Sequence, residues 1–132
     1  MTRRRVSDWI FVALWLITAL GAAGQHYVIR AEERLAQELA RELDQAAAAL
    51  DAGDWTLAYE TAGRARRRWE TARGRLALHA EHRRLESISE SLLEAEVLIA
   101  ARSGAARGPL ALARERVMGL PEEHRLSLRN LL

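Results

Sequence analysis

The chain has 132 residues, no cysteine and a formal net charge of +2, from 20 basic side chains that are all arginine and 18 acidic ones. This length provides for one small domain beside an N-terminal leader, and the lack of cysteine excludes disulfides, thiolate metal sites and cysteine nucleophiles. Residues 1–29 carry a net charge of +2 and residues 30–132 are neutral, with 17 arginines and 17 acids, so we expect no nucleic-acid partner.

An uncharged apolar run follows the basic N-terminus and extends from Trp9 to Ile29. As a helix it would span about 32 Å, close to the roughly 30 Å of a bilayer's hydrocarbon core. We therefore predict that residues 1–29 form a cytoplasmic basic tail and a transmembrane signal anchor, because basic residues tend to stay on the cytoplasmic side. The predicted anchor residues are Trp9, Ile10, Phe11, Trp15 and Tyr27.

The same interpretation places the chain in the bacterial cytoplasmic membrane as a single-pass protein with its N-terminus inside. Residues 30–132 would then form an extracytoplasmic helical domain. The alternative is a signal peptide and export after cleavage near Gly24, since small residues precede Gln25.

Apolar residues beyond the leader recur at helical steps of three and four. A first stripe continues to Leu50 and predicts a helix that ends at Asp51, with Gly53 as its left-handed terminator and Asp54 as the cap of the next helix. The next stripe is a heptad-like seam in which small side chains lie between two tryptophans, which would let a partner helix approach closely. The predicted seam residues of this helix are Trp55, Ala58, Ala62, Ala65 and Trp69.

A third helix is predicted over residues 78–101, and His82 lies within its apolar stripe. We interpret His82 as a packed, structural histidine and therefore as part of the seam. A loop at 103–108 precedes a fourth helix with Pro109 at its first helical position, and Pro121 is predicted to start a last short turn or helix. The predicted fold class is all-α: a transmembrane helix that continues into a small bundle of about four antiparallel helices.

The net charge alternates from helix to helix, at −4 for residues 30–54, +4 for 55–75, −3 for 76–100 and +3 for 101–132. Antiparallel neighbours would therefore meet with opposite charge. We interpret the arginine cluster of the second helix as this counter-charge. The alternative is that the face from Arg64 to Arg75 binds anionic lipid head groups or cell-wall polymer. The cluster consists of Arg64, Arg66, Arg67 and Arg68.

Catalytic candidates are few. His79, His82 and Glu86 would share one helical face, a geometry that can hold part of a metal site. No second Glu-x-x-His follows to complete a di-metal bundle site, and the chain has no phosphate-binding glycine loop or nucleophile elbow. We therefore predict that the chain has no enzymatic activity and binds neither a metal ion nor a cofactor. A metal site at these three residues is the alternative.

The stretch from Gly53 to Ala65 resembles the turn and second helix of a tetratricopeptide unit. Gly53-Asp54-Trp55, Ala58 and Ala65 occupy the positions where that family keeps Gly-Asp-aromatic and two alanines. The recurrence expected 34 residues later falls at Ser87, inside the third predicted helix, so the chain contains no standard repeat array.

A second resemblance covers nearly the whole chain. After the basic N-terminus and single span come Gly53-Asp54-Trp55-x-x-Ala58, Trp69-Glu70, His82-x-x-Leu85-Glu86-x-Ile88, Leu120-Pro121-Glu122 and Leu126-Ser127-Leu128-x-Asn130. In this order the motifs resemble domain-of-unknown-function family 4363. The resemblance implies a small, single-span bacterial membrane protein that is helical, has no known activity and is often encoded beside a multi-span membrane protein. It supplies no catalytic residues. The chain departs from the family pattern in having no lysine and a short Ala/Gly-rich loop at 103–108.

The sequence thus predicts a membrane-anchored, non-enzymatic interaction or scaffold module. Alanine-rich seams make a thin core for a domain of about 100 residues. For this reason we expect a further partner, either a second copy of the chain or a neighbouring membrane protein, and we assign no small-molecule ligand.

Overall fold

The structure is a computed structural model that describes the backbone of residues 2–77 and 81–130 and the side chains of residues 8–77 and 81–122. This part of the chain contains four α-helices and no strand: α1 (Thr2–Asp51), α2 (Trp55–Leu76), α3 (His82–Ala100) and α4 (Arg107–Asn130). A 3₁₀ turn at Gly104–Ala106 precedes α4. The prediction of an all-α chain is confirmed.

Two compact units divide the chain, Met1–Glu32 and Glu33–Leu132. The predicted boundary lay after residue 29. In the first unit, every described side chain from Asp8 to Val28 is exposed. Among the described residues, the helix over Asp8–Asp51 is the one that is long and apolar enough to cross a membrane, a property that anchors and signal sequences share.

The second unit is a helical bundle with one core. Each helix contributes a stripe of buried residues at steps of three and four. Nine of the 20 described residues in this core are alanines, so the helices can approach closely. The larger core side chains that are almost fully buried are Leu39, Leu43, Trp69, Leu85, Ile88, Leu92, Ile99 and Val117.

Side-chain contacts define an antiparallel order around the bundle. On α4, Arg107 meets Asp51 of α1 and Arg114 meets Asp44, so residue numbers rise along one helix as they fall along the other. The same holds between α2 and α3, where Arg66 meets Glu96 and Trp69 meets Ser89. The short turns after α1 and α3 make those helices antiparallel to their successors. The four helices therefore alternate up and down around one core.

The turn between α1 and α2 is the one that the sequence predicts. Gly53 has φ of 73°, the left-handed conformation that glycine adopts without strain. The amide of Asp54 donates to the Ala49 carbonyl at 2.9 Å and that of Gly53 to the Leu50 carbonyl at 3.0 Å, which is a Schellman ending. Asp54 Oδ1 accepts a hydrogen bond from the Leu57 amide at 3.0 Å and caps α2.

The end of the chain differs from the prediction, since Pro121 does not start a separate element but lies inside α4. Proline removes one backbone donor and crowds the preceding turn, which favours a break. Here Pro121 is buried beside Leu120, which is 8% exposed, and burial against the bundle offsets the lost hydrogen bond.

The start of α4 also differs from the prediction. Ser103 caps the 3₁₀ turn, so Arg107 begins the helix ahead of Pro109.

Candidate interaction surfaces

The seam of α2 forms one wall of the core. Ala58, Ala62 and Ala65 are at most 1% exposed, so α2 meets its neighbours over a strip without side-chain bulk. Trp69 is completely buried, and its Nε1 donates to Ser89 Oγ on α3 at 2.8 Å. A buried indole N–H needs such a partner. Trp55, at the start of the helix, is half-buried and packs against the core.

His82 does not belong to this packed seam, which corrects the prediction of a structural histidine. Its side chain is 74% exposed, and its Nε2 lies 3.4 Å from Glu86 Oε1. His82 is the first residue of α3, and the buried stripe of that helix begins one turn later at Leu85. The apolar spacing extends to residue 82, but the core does not.

Arg66 and Glu96 join α2 to α3. Arg66 Nε donates to Glu96 Oε2, and the two side chains are 33% and 11% exposed. The hydrogen bond to Glu96 is the main reason why the pKa of Arg66 is raised above its ordinary value. Because the raised pKa belongs to a cation, its contribution to stability is present below the ordinary value and is lost only in strong alkali.

Arg68 joins α2 to α1 through two carboxylates. Its Nη1 lies 2.7 Å from Glu38 Oε2 and its Nη2 lies 3.0 Å from Glu42 Oε1. Glu42 is buried, with 8% of the whole residue exposed. The hydrogen bond to Glu42, followed by the charge of Glu42, raises the pKa of Arg68. The fork of one guanidinium thus holds two successive turns of α1.

The other two arginines of the predicted cluster are different. Arg64 and Arg67 are exposed, and neither forms an ion pair with a described residue. The four residues therefore do not make one anion-binding face. Two of them neutralise carboxylates of neighbouring helices, and two face solvent.

Charge also joins the remaining neighbours. Arg114 Nε lies 2.8 Å from Asp44 Oδ1, and Arg107 pairs with Asp51, both between α4 and α1. Between α3 and α4, Arg116 Nη1 donates to the Ser87 carbonyl at 2.8 Å and to Ser91 Oγ at 2.7 Å. Among the described residues, the predicted meeting of opposite charges is confirmed for three of the four pairs of neighbouring helices, namely α1–α2, α2–α3 and α1–α4. At the contact of α3 with α4, the acceptors are a carbonyl and a hydroxyl.

The predicted metal candidates come together only in part. His82 and Glu86 are neighbours on the exposed surface of α3, and His79 lies outside the described residues. Among the residues that the structure describes, no group of three His, Asp or Glu side chains is arranged to hold a metal ion.

The predicted anchor residues form an apolar surface on α1. Each is at least 55% exposed, and so are most of the large apolar side chains between them. Thr18, in the middle of this stretch, donates its hydroxyl to the Leu14 carbonyl at 2.8 Å. The exposed anchor residues are Trp9, Ile10, Phe11, Trp15 and Tyr27.

Sequence reasoning did not identify the acceptors that hold the bundle together. Glu42 and Glu96 are each 8% exposed, although both read as ordinary surface residues of charged helices. Ser89 and Ser91 accept from Trp69 and Arg116. Their positions next to the apolar stripe of α3 are the one signal that could have singled them out.

Comparisons with known proteins identify the family of this chain. A family model described as Domain of unknown function (DUF4363) matches residues 26–131. Comparisons with curated proteins and with solved structures found no match. The matched region takes in α2, α3, α4 and the part of α1 that enters the bundle. Because this match covers most of the chain, the protein belongs to the DUF4363 family.

Proposed function

We propose that the protein is a single-pass membrane protein whose bundle lies outside the cytoplasmic membrane and acts as a non-enzymatic interaction or scaffold module. The observation that carries this proposal is the long apolar surface of α1 from Trp9 to Val28, which no described side chain covers. Exposing this apolar surface to water would be unfavourable in free energy, which supports a membrane location. Each large apolar side chain left exposed forgoes about 1.5–3 kcal/mol of burial.

The polar groups of this stretch fit a lipid environment. The helix satisfies its own backbone hydrogen bonds, which is the requirement for a segment in hydrocarbon. Thr18 satisfies its hydroxyl within the same helix by donating to the Leu14 carbonyl. The side chains that follow it along the helix, from Ala19 to Gly24, carry no charge.

The basic triplet Arg3, Arg4 and Arg5 sets the proposed orientation. Positive residues beside a first span are retained on the cytoplasmic side, so the bundle would emerge outside. The bundle and its preceding residues, 30–132, have no net charge, and the ion pairs described above use many of the charges internally. A neutral surface stabilised from within is suited to contacts with a protein partner rather than with a polyanion.

Single-cysteine labelling of the full chain tests location and orientation together, because the natural sequence has no cysteine. We would introduce Ser7→Cys before the span and Ala48→Cys on the exposed surface of the bundle. In intact cells, a membrane-impermeant maleimide should label Ala48→Cys alone, and Ser7→Cys should react only after permeabilisation. Both variants should stay in carbonate-washed membranes.

A matched change in the span serves as the control. Ile17→Arg should release the chain from carbonate-washed membranes, because a central arginine costs about 2.5–3.5 kcal/mol on insertion scales, whereas Ile17→Leu should not. Recovery of the unchanged chain in the soluble fraction contradicts the proposal. A mature protein that starts near Gln25 points instead to a cleaved signal peptide.

A further inference from the structure

The outer surface shared by α1 and α2 is basic. Arg68 of α2 reaches across to α1, where its Nη1 lies 2.7 Å from Glu38 Oε2 and its Nη2 lies 3.0 Å from Glu42 Oε1. Residues at helical spacing from Glu38 and from Arg68 therefore lie on the same side of the bundle. We call this surface the α1–α2 face, and its exposed residues are Arg34, Glu38, Arg41 and Gln45 on α1 and Leu57, Arg64, Arg68 and Arg75 on α2.

Each helix contributes one row of side chains to this face. The α1 row follows the spacing i, i+4, i+7 and i+11 from Arg34, and the α2 row follows i, i+7, i+11 and i+18 from Leu57. At 3.6 residues per turn, each row stays on one side of its helix. Because the helices are antiparallel and Arg68 lies level with Glu38 and Glu42, Arg34 lies near the level of Arg75.

The charges of the α1–α2 face do not cancel. Five arginines stand against Glu38 and the buried Glu42, which leaves a net charge of +3. At the α2 edge of the face, Arg67 and Glu60 add one charge of each sign. Arg68 is the arginine that holds the two carboxylates. The other four form no ion pair with a described residue, and they are Arg34, Arg41, Arg64 and Arg75.

We propose that the α1–α2 face binds an acidic helix of a protein partner. This inference rests on the proposed function, which makes the bundle an interaction module, and it states the chemistry of the partner. Arg68 shows how the face takes carboxylates, since one guanidinium holds two of them one helical turn apart. The four remaining guanidinium groups are free to bind carboxylates of another chain in the same way.

The spacing of the α1 row fits a helix. Arg34 and Arg41 are seven residues apart, which corresponds to about 10.5 Å along α1. A partner helix that lies along α1 and carries a carboxylate at every seventh position meets both arginines. Attachment of the two proteins to one membrane would raise their local concentration and favour such a contact.

Leu57 favours a protein over a phosphate-bearing ligand. It belongs to the α2 row and is 47% exposed. Phosphate groups of a lipid or a polymer bind arginine but leave an apolar side chain uncovered, whereas a protein segment can cover it while its carboxylates reach Arg64. The whole of residues 30–132 is neutral, so the excess of positive charge acts at short range on this one face.

A synthetic peptide tests the inference on the full chain in nanodiscs of neutral phosphatidylcholine. The probe is a fluorescent, alanine-rich helical peptide with glutamate at every seventh position. We expect it to bind at low ionic strength, as measured by fluorescence anisotropy. The matched control peptide has the same composition with its glutamates spread around the helix, and we expect it to bind several-fold more weakly, because its carboxylates cannot meet both arginines of the α1 row.

Charge reversal tests the location of the site. Arg34→Glu/Arg41→Glu should weaken binding of the acidic peptide about tenfold or more, because like charges then face each other. Arg83→Glu/Arg102→Glu makes the same change in net charge at exposed positions away from the face and should leave binding nearly unchanged. A peptide with lysine in place of glutamate should bind the Arg34→Glu/Arg41→Glu chain and not the unchanged one. Circular dichroism of each variant would establish that its helices remain folded.

Three results would overturn the inference: no binding of the acidic peptide, equal binding of both peptides, or an equal loss in both charge-reversed chains. Tighter binding of poly(glycerol phosphate), or of nanodiscs that contain phosphatidylglycerol, would assign the face to a phosphate ligand instead. These failures are distinct from failure of the proposed function, since a chain that stays in carbonate-washed membranes remains an anchored module without this partner.

Discussion

At the scale of single residues, Arg64 and Arg66 are neighbours in sequence but differ in their surroundings. Arg66 donates to Glu96, whose side chain is 11% exposed, whereas Arg64 faces solvent. We predict that Arg66→Met lowers the free energy of unfolding by about 1–2 kcal/mol, because a nearly buried carboxylate loses its charged donor. Arg64→Met should change it by less than about 0.5 kcal/mol. Urea unfolding of the full chain in micelles, followed by circular dichroism, measures both.

A double-mutant cycle separates the ion pair from the loss of the arginine's own packing. If Arg66 acts through Glu96, Arg66→Met should cost much less when Glu96 is already Met. Equal costs in both backgrounds would mean that the stem of Arg66 stabilises the bundle by packing alone.

Trp69 is the largest side chain in the core that is fully buried. We predict that Trp69→Ala lowers the free energy of unfolding by about 3–5 kcal/mol, since it leaves a cavity between α2 and α3 and removes the donor to Ser89. Trp55→Ala is the matched control at the other end of the seam and should cost clearly less, because Trp55 is only half-buried. Similar losses at both positions, measured by thermal unfolding, would contradict this account of the seam.

At the scale of helices, two glycines should respond to alanine with opposite signs. Gly53 ends α1 with φ of 73°, and Gly74 is an exposed position within α2; an added Cβ meets nothing within 4 Å at either position. Gly53→Ala should therefore destabilise the bundle by about 1 kcal/mol through backbone strain alone. Gly74→Ala should stabilise it by about 0.5–1 kcal/mol, because glycine is the poorer helix former. Thermal melts of the two full-length variants should shift in opposite directions, and a shift in the same direction contradicts the prediction.

The helices show which features a sequence can predict and which it cannot. The turn at Gly53 and Asp54 was predictable to the residue, because helix endings and caps depend on local backbone chemistry. The placement of Pro121 within a helix and the exposure of His82 were not predictable, because both depend on how far the core extends along α4 and α3. Pro121 is buried inside α4 and His82 is exposed ahead of the buried stripe of α3.

The ion pairs between helices were predictable only in part. Alternating segment charges predicted that opposite signs would meet. They could not predict that Arg66 would meet Glu96 while Arg67 would not, because the choice depends on the register and rotation of each helix. A rotation of 100° separates successive residues on a helix, so adjacent arginines of one run take different neighbours.

At the scale of the whole molecule, the ion pairs differ in how much they stabilise the bundle. The pairs Arg66–Glu96 and Arg68–Glu42 involve carboxylates that are about 10% exposed, so solvent screens them only in part. Arg107–Asp51 and Arg114–Asp44 are about half exposed on both sides, and each should contribute only about 0.2–1 kcal/mol. The bundle is therefore held mainly by its core and its inner pairs.

Salt should distinguish the inner ion pairs from the exposed ones. Raising the ionic strength from 0.1 M to 1 M shortens the Debye length from about 10 Å to about 3 Å, which screens exposed charges far more than buried ones. Arg114 and Asp44 are about half exposed, whereas Glu96, the partner of Arg66, is only 11% exposed. We therefore predict that the loss of unfolding free energy caused by Arg114→Met nearly disappears at 1 M salt, whereas the loss caused by Arg66→Met keeps most of its size. Urea unfolding of the full-length variants in micelles at both salt concentrations measures the two losses, and an equal reduction of both would contradict the distinction between inner and exposed pairs.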